Sequence, residues 1–301
     1  MIRGHEHRAF RDYLVYEKRF SPHTVEAYQS DTDQFLTFAE VQYGLISVSE
    51  IGPLHIRAWM VDMLEHGLSP RAINRKLSCL KTFFRFLLKR GWVQQSPMLK
   101  ILAPKTGKAL PVFVREEHLA QLLDEVVFPA GFEGARDRMM LELLYMTGLR
   151  RAELMGMTPE SADFHRMQIR VKGKGGKERI IPILPDLAER LRAYIDLRRT
   201  SFEELPANLL LTDKGAPMYP KFVYRVVRKY LSMVTTVEKR SPHVLRHSFA
   251  THLSNKGADI NAIKELLGHS SLAATQVYTH NAIEKLKEVY QLAHPKGKPK
   301  G

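Results

Sequence analysis

The sequence predicts a mainly α-helical protein with one small antiparallel β-sheet, split into an all-helical N-terminal domain and a larger α+β C-terminal domain. Apolar residues recur at helical spacing through most of the 301 residues. Only 168–172 and 178–183 alternate as strands, and the glycine-containing segment Gly173–Lys177 between them reads as a hairpin turn. Over 97–111 the periodicity lapses into Pro97, Pro104, Gly107 and Pro111 with Lys100, Lys105 and Lys108, a basic interdomain linker.

The N-terminal domain, expected over 1–96, is punctuated by caps. Ser21-Pro22 places an N-cap before a proline at the first helical position, and Val25, Tyr28, Phe35, Leu36 and Ala39 follow on one face. Gly44 and Pro53 interrupt the pattern. Ile56, Met60 and Leu64 form a second helix that ends near Gly67. Ser69-Pro70 repeats the cap and opens a longer helix to Lys89, closed by Gly91.

That helix has two unlike faces. Ile73, Leu77, Leu80, Phe84 and Leu87 make an apolar stripe, and Arg71, Arg75, Ser78, Thr82, Arg85 and Lys89 make a narrow opposite one. A row of cations and hydroxyls suits phosphate contacts along a groove, so Arg71, Arg75, Arg85 and Lys89 are candidate DNA-binding residues. An ordinary solvated face has the same pattern; the lack of an acidic residue on the stripe favours DNA.

The C-terminal domain, expected over 112–301, carries helical patterns over 117–127, 136–146, 187–197, 221–234, 243–256 and 260–267. A further amphipathic stretch contains Ile283, Leu286, Val289, Tyr290 and Ala293.

Composition narrows the function. A hydrophobic fraction of 44% supports packed cores, and a net charge of +14 points to a polyanionic partner. The longest apolar stretch, Met139–Met146, is broken by Glu142, and the N-terminus is too polar for a signal peptide. A cytoplasmic protein with no membrane partner is expected. The single Cys79 stands among Leu77, Leu80 and Phe83, which reads as a small buried residue. The glycines of the hairpin lie between strands rather than before a helix, so no nucleotide-binding loop is supported. His243 and His247 have metal-ligand spacing, but Val244 stands where a zincin needs Glu and Arg246 adds positive charge; no metal or other cofactor is expected.

Four pieces remain: Gly148-Leu149-Arg150, Gly173-Lys174-Gly175, His243-Val244-Leu245-Arg246-His247, and Gly268-His269 followed by Tyr278. In this order they resemble the tyrosine recombinase (phage integrase) family over nearly all of 111–294. The resemblance implies an all-helical, SAM-like core-binding domain followed by the family's α+β catalytic domain. It implies that Tyr278 attacks a DNA phosphodiester and forms a 3′-phosphotyrosine, which conserves bond energy without ATP. Arg150 and Arg246 would clamp the non-bridging oxygens. Lys174 would protonate the leaving 5′ oxygen, His243 would assist proton transfer at the tyrosine, and His269 would donate to a phosphate oxygen. Arg151 is a rival to Arg150, and Glu153 one turn on can hold Arg150 in place.

The size and the Ala293-His294-Pro295 ending resemble the Xer subgroup, nearer XerD than XerC. That implies chromosome dimer resolution at a double-stranded DNA recombination site, as a tetramer with a second, XerC-like recombinase under control of the FtsK DNA translocase. A C-terminal helix of this kind docks on a neighbouring subunit in the family; packing on its own domain is the simpler arrangement. Three other readings stand beside it: a minimal mobile-element integrase, a type IB topoisomerase-like enzyme, and a non-catalytic DNA-binding protein.

Overall fold

The computed structural model describes residues 4–107, 112–173, 178–268 and 290, in two compact units that divide between Ala109 and Leu110. The first unit is all helical. α1 (His5–Asp12) runs into one turn of π-helix, followed by α2 (Pro22–Tyr43), α3 (Pro53–Glu65) and α4 (Pro70–Lys89). The caps act as their residue types predict: the Ser21 hydroxyl accepts from the Thr24 amide and the Ser69 hydroxyl from the Ala72 amide, each at 3.3 Å. The core is aromatic, with Phe10 edge-on to Phe83 and Phe35 against Trp59 at centroid distances of 5.0 and 5.2 Å. Cys79 is buried there and donates to the Tyr28 carbonyl; burial pushes its thiol up to about 12.

The expected linker begins too early. Pro97–Lys100 is a 3₁₀ turn, Met98 and Ile101 are buried in the first core, and Asn74 donates to the Pro104 carbonyl. Two well-spaced apolar side chains suffice to dock a proline-rich segment that lacks a helical period.

The second unit surrounds α6 (Phe132–Thr147), which is buried without a break from Met139 to Thr147. α8 (Pro185–Ser201) and α10 (Pro242–Asn255) pack on it, and α5 (Glu116–Asp124) packs on α9 (Pro220–Val234). Glu142, in the middle of α6, accepts from Arg138 and Arg190 at 3.0 and 2.9 Å, which is how a carboxylate survives there. Among the described residues no helix is long and apolar enough to cross a membrane.

The sheet has antiparallel order β1–β2–β3, where β1 is Ala162–Asp163, β2 is Gln168–Lys172 and β3 is Glu178–Pro182. The register runs from Gln168 opposite Pro182 to Lys172 opposite Glu178. Ile169, Val171 and Ile181 face the core, and Arg179 shares their side of the sheet. β1 is too short to leave an alternation in the sequence. Two short helices complete the frame of the site, α7 (Arg151–Gly156) and α11 (Ile260–Leu267).

Candidate active site

Arg150 is presented by a reversal between two helices. Gly148 ends α6 at φ +61°, Leu149 is fully buried, and Arg150 is the extended residue that opens α7. Glu153 stands at the third position of α7, where a carboxylate reaches back to the helix start. It accepts from the Arg150 amide at 2.7 Å and from Arg150 Nη1 at 2.8 Å. The same carboxylate accepts a two-pronged contact from Arg179, Nη1 to Oε1 at 2.8 Å and Nη2 to Oε2 at 2.9 Å. Burial alone would push the Glu153 carboxyl up. The hydrogen bonds and charges of Arg179 and Arg150 outweigh it and bring the group down to about 2.

Arg246 lies in α10, buried at 6% exposure, one turn after the exposed His243. It donates through Nη1 to the Gly148 carbonyl and through Nη2 to the Leu267 carbonyl, both at 2.6 Å. Burial, and then the positive charges of Arg150 and Arg179, lower its pKa to about 10, so it is charged at neutral pH.

The two arginines meet at the end of α11. Arg179 Nε donates to the carbonyl of Leu266 at 2.8 Å, Arg246 to that of Leu267, and Arg150 Nη2 to that of Gly268 at 3.0 Å. Consecutive carbonyls at a helix C-terminus thus receive three guanidiniums, where the helix dipole favours cations. A side chain at Gly268, which has φ +62°, would crowd Arg179 Cδ at 3.0 Å.

The expected site residues therefore divide. Arg150 and Arg246 are brought together, and His243 shares the helix of Arg246. Lys174, His269 and Tyr278 lie outside the described residues. Lys174 belongs to the connection between β2 and β3, and His269 directly follows Gly268. Arg151 is exposed at the head of α7. Tyr290 is a packing residue: it is fully buried beside Phe249, and its hydroxyl donates to the Met146 carbonyl at 2.5 Å. His252 hydrogen-bonds the Tyr145 hydroxyl at 3.0 Å.

Arg179 was not anticipated. Its signal was available, since an arginine on the apolar parity of a strand must find a buried partner. Such an arrangement can hold a tetrahedral or pentacovalent phosphate, because fixed guanidinium forks oppose charge that develops on its oxygens.

In the first unit, Arg71, Arg75, Arg85 and Lys89 are all exposed on α4. Arg75 grips the buried Asp31 of α2 at 2.5 and 3.0 Å, beside Lys76 at 2.8 Å, and Lys89 reaches Glu17 at 3.1 Å. The stripe has no acid of its own, but neighbouring elements supply two.

Comparison with known proteins agrees in both units. Residues 113–285 match the phage integrase family, and residues 8–91 match the phage integrase N-terminal SAM-like domain. Relatives include the tyrosine recombinase XerC of Chlorobaculum parvum, 38% identical over 95% of this chain and 93% of its own length. XerC of Halalkalibacterium halodurans is 36% identical over 96% of both chains. Among solved structures, the XerH site-specific recombinase bound to difH substrate, in a pre-cleavage complex, is 25% identical with a TM-score of 0.66, covering 88% of this chain and 78% of that one. The Tn1549 transposon integrase in complex with circular intermediate DNA has a TM-score of 0.67 at 21% identity, covering 91% and 96%, which speaks to the fold alone. These relatives carry the XerC name, so the expected leaning toward XerD is not supported.

Proposed function

The chain belongs to the phage integrase family and is a site-specific DNA recombinase of the Xer type, and from that premise we propose that Tyr278 is its nucleophile in a six-residue site with Arg150, Lys174, His243, Arg246 and His269. The Tyr278 phenolic oxygen bonds to the scissile phosphorus as its proton leaves toward His243. The bond from phosphorus to the 5′ oxygen breaks, Lys174 supplies that oxygen with a proton, and the products are a 3′-phosphotyrosine and a 5′-hydroxyl. Attack by the 5′-hydroxyl of another strand reverses the step and completes an exchange. Arg150, Arg246 and His269 stabilise the charge on the phosphate oxygens.

One observation carries this reading. Arg150 and Arg246 come from distant segments and sit on the adjacent carbonyls of Gly268 and Leu267, immediately before His269.

We further propose that the reaction resolves chromosome dimers in the cytoplasm during segregation and cell division. It would act on a double-stranded recombination site as a tetramer with a second recombinase, coupled to an FtsK-type translocase. The Xer names of the relatives support this role.

The test is a nicked suicide duplex built on the sequence that the protein enriches from a random duplex pool. A covalent protein–DNA adduct is expected, mapped to Tyr278 and absent in Tyr278→Phe. No adduct, or one that persists in Tyr278→Phe, overturns the mechanism. Deletion of the gene should give chained, undivided cells; normal division would reject the chromosomal role.

A further inference from the structure

Arg179 is buried at 5% exposure and makes three hydrogen bonds, two to Glu153 and one to the Leu266 carbonyl. They tie together three segments that adjoin residues of the proposed site. β3 follows the segment that contains Lys174, Glu153 holds both the backbone and the guanidinium of Arg150, and Leu266 stands three residues before His269.

Space-filling does not call for an arginine here. A buried ion pair gains little over well-packed apolar residues of the same volume, while its fork imposes one geometry on what it binds. Glu153 accepts on both oxygens from Arg179 and again from Arg150. Its plane is therefore set by Arg179, and the direction of the Arg150 guanidinium follows from that plane.

We propose that Arg179 is a positioning residue for DNA cleavage: it fixes Glu153 and the end of α11, and so aims Arg150 at the scissile phosphate without itself touching DNA. This rests on the recombinase reading above. Lysine at this position would keep the charge but lose the fork, because a compact ammonium cannot span both carboxylate oxygens and reach Leu266.

The experiment measures single-turnover adduct formation on the suicide duplex, with either a natural phosphate or a methylphosphonate at the scissile position. Wild type, Arg179→Lys and the double variant Arg179→Met with Glu153→Gln are compared, and duplex affinity and thermal unfolding are recorded for each. The double variant removes both charges together and so avoids stranding one of them. Both variants are expected to bind the duplex within about threefold of wild type and to form adduct about 100-fold more slowly on phosphate, the order of loss that a small misplacement brings. The uncharged methylphosphonate needs less from an aimed Arg150, so the deficit should shrink to about tenfold or less, as it should for Arg150→Ala.

A merely structural role would slow both substrates equally. An equal deficit on both, or a phosphate rate within about threefold of wild type, overturns the proposal while leaving the recombinase reading intact. If wild type itself forms no adduct, that reading falls and takes this proposal with it.

Discussion

Arg246 donates to the Gly148 carbonyl at 2.6 Å, so a guanidinium on α10 is oriented by the turn that presents Arg150. The two arginines of the proposed clamp are coupled through one backbone atom of a glycine. Gly148 is also crowded: a Cβ there would meet Phe249 at 2.6 Å and Leu267 at 2.9 Å.

Gly148→Ala should therefore be costly in two ways. A left-handed non-glycine residue and an overpacked core together should cost about 2–5 kcal/mol in urea unfolding. Adduct formation should fall by more than duplex binding, because the displaced carbonyl no longer orients Arg246. Equal losses in binding and cleavage would refute the coupling.

Glu153 makes stability depend on acid pH. Its folded pKa is about 2 against an unfolded 4.5, so its contribution is complete above 4.5 and is lost as pH falls through 2. The shift corresponds to about 3 kcal/mol. Glu153→Gln should be less stable by about that amount at pH 7, and the gap should close between pH 4.5 and 2. Denaturant unfolding across that range checks it; a gap that ignores pH would contradict the assignment.

The basic stripe of α4 should divide by partner. Arg71→Ala and Arg85→Ala should weaken duplex binding and lower the salt dependence of its logarithm by about one per lost phosphate contact, with stability unchanged. Arg75→Ala should instead cost about 1–3 kcal/mol of stability, because buried Asp31 loses two hydrogen bonds and keeps Lys76. Salt titrations of affinity alongside thermal unfolding separate the two outcomes. Unchanged slopes for Arg71 and Arg85 would return the stripe to a solvated face.

Lys174→Ala should slow cleavage and leave binding nearly intact. A 5′-phosphorothiolate at the scissile position should restore its rate, because a sulfur leaving group needs little protonation. Absence of rescue would remove Lys174 from the general-acid role.

Local signals proved readable and distant pairings did not. The caps at Ser21 and Ser69, the two-faced α4 and the strands at Gln168–Lys172 and Glu178–Pro182 all depend on neighbours a few residues apart, which a linear pattern records. Asp31 with Arg75, Glu153 with Arg179, and Met146 with Tyr290 are separated by 44, 26 and 144 residues, and only folding brings them together. The same limit explains one misreading, since Pro97–Lys100 looks like a tether until Met98 finds the first core. Of the proposed site, the meeting of Arg150 with Arg246 could be expected because both sit in ordered motifs; the contact of Arg179 could not, because its partner is a carboxylate on another element.

The carbonyls that end α11 already hold Arg179, Arg246 and Arg150. The mutual repulsion of three cations is thus met by the protein's own backbone during folding, before any polyanion arrives. If this is the site proposed above, DNA would not have to gather dispersed charges at the moment of encounter, so little of its binding energy would go into rearranging them, and more would be left to lower the barrier to chemistry. The same economy makes the last turn of α11 a point of failure. Were it to unwind, the cations would scatter, and an arriving phosphate would find three separate charges in place of one shaped field.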